Sequence, residues 1–163
     1  MEESIFIKIG KIEGSSTNKS ADKQIPISSY QFGVGRSVGS AHGGGQREGS
    51  TPSISEVNIT KIMDKTTTLL LAEALSGKGD EDATITHLRS TQAGDKPALL
   101  FTIKMEKVML SSHSISGSEG STPQESVSLN FDKVIWTYHS QKEDGTDEGG
   151  VPVGWDLKLN VKC

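Results

Sequence analysis

Apolar and polar residues alternate with a period of two along most of this chain. Ile5, Ile7 and Ile9 alternate with Phe6, Lys8 and Gly10. Val127, Leu129 and Phe131 alternate with Ser126, Ser128 and Asn130, and Trp155, Leu157, Leu159 and Val161 with Asp156, Lys158, Asn160 and Lys162. Such a pattern places one set of side chains on each face of a pleated strand. The stretch 98–110 starts with Leu99, Phe101, Ile103 and Met105 in phase, then shifts so that Val108 and Leu110 are apolar. A bulge, or a strand passing from one environment to another, accounts for the shift. Further strands are expected at 25–33, 54–62, 83–89 and 133–139. About eight strands point to a two-sheet β-barrel or sandwich. One segment departs from the pattern. Residues 64–76, DKTTTLLLAEALS, read as a short flanking α-helix. Asp64 or Thr66 is placed to cap its start and Gly77 to close its end. Leu71 and Leu75 with Ala72 are the expected packing face, and packing on the chain's own sheet is the simplest use of it.

Composition narrows the classes. The chain has 163 residues, 33% of them hydrophobic, with 18 glycines. That length predicts one domain over 1–163 with a modest core. A formal net charge of -4 speaks against a general nucleic-acid binder, which needs a concentrated basic footprint. No apolar run approaches a membrane span, and the start MEESI lacks the basic and apolar stretches of a secretory signal. The single cysteine, Cys163, excludes an internal disulfide and a Cys-based zinc site. Residues 37–53 form a Gly- and Ser-rich loop, and 143–150, EDGTDEGG, an acidic turn. Residues 117–123 read as a shorter turn.

Candidate chemistry is thin. Gly35-Arg36-Ser37-Val38-Gly39 matches the G-x-S-x-G elbow of hydrolases, which needs a strand before it and a helix directly after. A glycine-rich loop follows instead, so a Ser37 nucleophile is disfavoured. Gly33 and Gly35 start a dinucleotide-type pattern that Val38 interrupts. His42, His87, His113 and His139 lack metal-ligand spacing and read as surface or strand-face residues. The acidic clusters lack the alternating ligands of a calcium loop. No catalytic residue, cofactor site or metal site is expected. A small β domain with exposed edges instead suggests assembly with other copies. A stand-alone β-barrel that binds a small ligand is the alternative, and it predicts a monomer with a closed pocket.

Several segments in series carry a resemblance. They are IFIKIGKIEGSS, IPISSYQFGVGRS, HGGGQREGS, ISEVNITKIMDKTTTLLLAEALSGK, LLFTIKMEKVMLSSHSISG, ESVSLNFDKVIWTYHSQKEDG and GWDLKLNVK. VNITKxxDK, SLNFxKV and GWD are together specific. The chain resembles the haemolysin-coregulated protein (Hcp) family, the tube protein of bacterial type VI secretion systems, from Ile5 to Lys162. The resemblance implies two packed β-sheets with one helix and no enzymatic activity. It implies homo-hexameric rings that stack into a tube inside a contractile sheath, topped by a VgrG-type spike protein, and expelled by sheath contraction. Small secreted effectors travel in the lumen of such tubes. It also implies a cytoplasmic protein that is secreted without a signal peptide, with neither nucleic-acid binding nor membrane insertion. Carried over by position, the ring-stacking loop is Ser37, Val38, Gly39, His42, Gly43, Gly44, Gly45, Gln46, Arg47 and Glu48. Ser29 and Gln31, alternating with Tyr30 and Phe32, are expected to face the lumen. Arg89 to Pro97 and Cys163 carry no assignable pattern.

Overall fold

The computed structural model describes residues 3–39, 49–89, 97–143 and 146–163. In chain order the elements are β1 (Glu3–Ile9), β2 (Ile25–Ile27), β3 (Ser29–Gln31), β4 (Val34–Gly35), β5 (Ser53–Ile54), β6 (Val57–Ile62), α1 (Thr67–Ser76), β7 (Glu81–Arg89), β8 (Ala98–Ser116), β9 (Gln124–Asn130), β10 (Lys133–Gln141), β11 (Asp147–Asp156) and β12 (Val161–Lys162). The first sheet runs β12-β11-β10-β8-β7-β1-β2, antiparallel throughout. The second consists of β3, β6, β9 and the far half of β8. The two sheets pack as a sandwich rather than a closed barrel. The expected strands at 25–33 and 54–62 are each broken, and the short pieces β4 and β5 form a separate hairpin.

The phase shift in β8 joins the two sheets. Up to Glu106 this strand pairs with β7 and β10, and from Met109 it pairs with β9. Between them Lys107 takes a left-handed backbone (φ 56) and the register against β7 slips. Both explanations of the sequence pattern therefore hold: a bulge turns one strand from one sheet into the other.

The core lies between the sheets. Ile7, Ile9, Ile25, Ile85, Ile103, Met105 and Val134 of the first face Val57, Ile59, Val127 and Leu129 of the second. Phe6, which the alternation puts on the polar side of β1, is also buried. It packs with Leu88 and Ala21 on the opposite face of the first sheet. The segment carrying Ala21 is drawn close because Gly14 has no side chain. A Cβ there would come within 2.2 Å of the Gln24 carbonyl oxygen.

Three expectations need correction. The alternation from Trp155 to Val161 is not one strand. β11 ends at Asp156, whose carboxylate accepts the Leu159 N–H at 2.9 Å, and Asn160 turns the chain with φ 57. Only Val161 and Lys162 return to the sheet. The acidic segment 143–150 is not all turn, since Asp147 to Gly150 lie in β11 and pair with β10. Finally, α1 packs through Thr67, Leu70 and Ala74, whereas Leu75 is 86% exposed. The neighbouring apolar residues Leu69 to Leu71 hid which of them points down. The helix ends as expected, with Gly77 at φ 64 and its N–H on the Glu73 carbonyl.

Candidate functional site

The second sheet has two chemically different faces. Its outer face carries two rows of small neutral polar residues. Ser29, Thr60, Ser126 and Ser114 lie in one row, and Gln31, Asn58, Ser128 and Ser112 in the next. The rows are linked side to side. Ser29 and Thr60 hydroxyls share a hydrogen bond, and the Ser128 hydroxyl donates to Asn58 Oδ1. No position in either row is charged. Ser29 and Gln31 thus point away from the core, while Tyr30 and Phe32 point in.

The inner face closes against the first sheet through aromatic rings. Tyr30 stacks on Phe101, Phe101 on Phe32 and Phe32 on Trp136, with centroids 5.6 to 6.5 Å apart. The Tyr30 hydroxyl bonds His87 Nδ1 at 3.0 Å, and His87 Nε2 lies 3.1 Å from Glu3. Burial first, and the Glu3 charge second, push the Tyr30 phenol above its usual range. That makes Tyr30 a tie between the sheets and a poor nucleophile.

Toward the far end of the second sheet, three charged or ionisable groups sit between the layers. Lys61 and Glu125 have fully buried side chains 3.2 Å apart, and His113 Nε2 lies 3.3 Å from the same carboxylate. Thr67 at the start of α1 donates to Glu125, and Asp64 meets Lys61 at 3.0 Å. The Asp64 carboxylate also accepts the Thr66 N–H and hydroxyl. Burial alone would raise the Asp64 pKa, but the Thr66 hydrogen bonds and Lys61 outweigh it and hold the carboxyl below its usual range. The cluster anchors the helix entry, because either buried charge without its partner would carry a large desolvation penalty.

Sequence reasoning missed this cluster, although a signal was present. Lys61 is in phase with Val57 and Ile59, and Glu125 with Val127 and Leu129. Two opposite charges at inward positions of adjacent strands mark a buried pair. His87, His113 and His139 all lie on strand faces, as expected: His87 and His113 turn inward with side chains 15% and 1% exposed, and His139 sits beside Thr137 on the outer face of the first sheet, 17% exposed. Those three do not converge on a metal site, and no group of metal-ligating residues occurs among the described residues.

Of the expected stacking loop, Ser37, Val38 and Gly39 are described and His42, Gly43, Gly44, Gly45, Gln46, Arg47 and Glu48 lie outside the described residues. Ser37 and Ser50 exchange hydrogen bonds at the neck of the β4–β5 hairpin, and Val38 bridges Gly49. Ser37 therefore sits in a hairpin, not on a strand-to-helix elbow. Val34 and Val38 are 59% and 58% exposed there.

A third feature is an apolar margin. The inner face of the first sheet extends past the cover of the second, so Tyr138, Val151 and Val153 are about half exposed or more. Val153, with Val34, Pro52, Ile54, Trp136 and Trp155, lines an open cleft of about 330 Å³ at the margin. Other clefts of 440 and 550 Å³ are likewise open grooves. No helix among the described residues is long and apolar enough to cross a membrane.

Comparison with known proteins matches this pattern. Residues 6–138 fit the model of the family described as type VI secretion system effector, Hcp. The chain is 34% identical over 161 residues to the protein hcp1 of Pseudomonas aeruginosa, covering 98% of both chains. A solved structure of a type six secretion system protein superposes with a TM-score of 0.90 at 28% identity, over 99% of this chain and all of that one. Hcp1 from Salmonella typhimurium shares the fold, with a TM-score of 0.78 at 22% identity over the full length of both. A sandwich with one flanking helix, matched along the whole chain to secretion proteins, settles the family: this chain belongs to the Hcp family of type VI secretion system proteins.

Proposed function

We propose that this chain is a tube subunit. Six copies close into a ring through the apolar margin of β10 and β11, with the neutral face of the second sheet turned to the central hole. Ring upon ring then builds a tube in which the segment 37–53 contacts the neighbouring ring. A contractile sheath surrounds the tube, a VgrG-type spike caps it, and small effectors ride in the lumen. The work is mechanical, and no cofactor or metal takes part.

The observation that carries this reading is the uncovered margin. Val34, Tyr138, Val151 and Val153 are exposed side by side where a core would otherwise continue. Burying each apolar side chain is worth roughly 1.5–3 kcal/mol. Association costs about 4–15 kcal/mol. One such contact is marginal, but in a closed ring every subunit makes two, so the ring holds where a dimer would not. The neutral wall supports the second half of the reading. Hydroxyls and amides keep a channel wet without holding a passing chain by charge.

The test is the mass in solution at micromolar concentration. Light scattering of the purified chain is expected to give six chain masses. Val153→Glu, which puts a charge in the margin, is expected to give folded monomers. A wild-type chain that runs as a monomer overturns the proposal, as does a Val153→Glu variant that keeps the ring.

A further inference from the structure

The margin strand β11 is oppositely charged at its two ends. Asp147 and Glu148 open it, with Glu143 just before. Beyond its other end, Asp156, stand Lys158 in the following turn and Lys162 in β12, and Arg36 of the hairpin lines the same cleft as Lys162. A ten-residue strand is about 30 Å long. At physiological salt the screening length is about 8 Å, so the two ends do not attract each other within one chain.

Opposite charges stand near each end, Lys142 beside Glu143, and Glu56, Asp132 and Asp156 around Lys158, but few of them pair. Among the described residues Arg36, Lys158 and Lys162 form no ion pair. Asp132 lines a cleft with Lys158 without pairing to it, and Asp156 is turned to the Leu159 N–H. At the acidic end Asp147 reaches only His139, at 3.9 Å, and its other oxygen takes the Gly149 N–H. Glu148 accepts the Ser140 hydroxyl. Midway, Pro152 lacks the N–H that a continuous strand-to-strand contact along this edge would need. The charged ends are therefore free for another molecule.

We propose that these ends add a charged contact to the axial interface between two copies of this chain, alongside the segment 37–53. The basic corner of one, Arg36, Lys158 and Lys162, meets the acidic corner of the next, Glu143, Asp147 and Glu148. This rests on the tube reading and gives it a direction. A contact between unlike ends repeats head to tail without closing, which makes a filament of rings. Exposed charge pairs are weak singly and weaken with salt, so stacking is reversible while the apolar ring persists.

The experiment uses the full chain and measures stack length by electron microscopy and sedimentation. Raising salt from about 50 to 500 mM shortens the screening length about threefold. Wild-type stacks are expected to shorten at least threefold over that range while the rings remain. Lys158→Glu/Lys162→Glu has two acidic ends, and Asp147→Lys/Glu148→Lys two basic ones. Each alone is expected to give rings that do not stack, and their mixture to give alternating stacks. Salt-independent stacks, full stacking by either variant alone, or no stacking by the mixture overturns the axial contact and leaves the ring untouched. Pairs of rings that stop at two overturn it in favour of a two-fold contact. If a variant fails to form rings, the wild-type salt response decides. A wild-type chain that never forms rings overturns the tube reading, and the axial contact with it.

Discussion

Asp64 shows how much a single residue organises. Its carboxylate holds the Thr66 N–H and hydroxyl and the Lys61 ammonium, so it fixes the turn into α1 and completes the charge balance around Glu125. Its folded pKa is depressed below 3.8. A depressed carboxyl adds stability that is present above the unfolded pKa and disappears as pH falls through the folded one. The chain is therefore expected to lose stability steeply below about pH 4, part of it through Asp64. In Asp64→Asn that part is absent: the variant starts less stable at pH 7, and its difference from wild type shrinks as pH falls. Urea midpoints at pH 7 and pH 3, at one protein concentration, check this. Asp64 was legible in the sequence as a helix-start residue, but its link to Lys61 and Glu125 was not. That link depends on which way two strands face, and alternation gives the facing only when the charged positions are counted along with the apolar ones.

Among the elements, strands were easier to read than the helix face. The sequence reading located β1 and β6 to β10 but not the ten-residue β11, and the phase break at Met105 to Val108 correctly marked the bend in β8. Short pieces escaped. Two-residue strands such as β4, β5 and β12 exist because a neighbour supplies hydrogen bonds, a tertiary effect that no local period records. In α1 three consecutive leucines gave no unique stripe. Leu71 and Leu75 looked like the buried face, but Leu70 is the fully buried leucine and Leu75 stands in water. Leu70→Ala is expected to cost about 2–5 kcal/mol. Leu75→Gln is expected to change stability by no more than about 0.5 kcal/mol. Chemical denaturation of the two variants separates the assignments: equal losses would contradict the packing seen here.

For the whole molecule, family and sandwich were legible because the matched segments follow one another along the full length. Assembly surfaces were legible only in part. Ser29 and Gln31 were picked out by their alternation with Tyr30 and Phe32, and they do sit on the outward face. The larger neutral surface around them comes from β6, β8 and β9, which register brings together from distant parts of the chain. The apolar margin was not foreseen at all, since Val151 and Val153 lie between the turn read at 143–150 and the strand expected from Trp155, and belonged to neither. Its exposure follows from the extent of one sheet beyond the other, a property of the whole sandwich.

Single-particle images of the purified chain bear most directly on the central claim. The account predicts a ring of six subunits around an open hole, with the Ser, Thr, Asn and Gln face of the second sheet lining the hole and the β10–β11 margin buried between neighbours. A single particle of one chain, or a ring whose margin faces solvent, would contradict it.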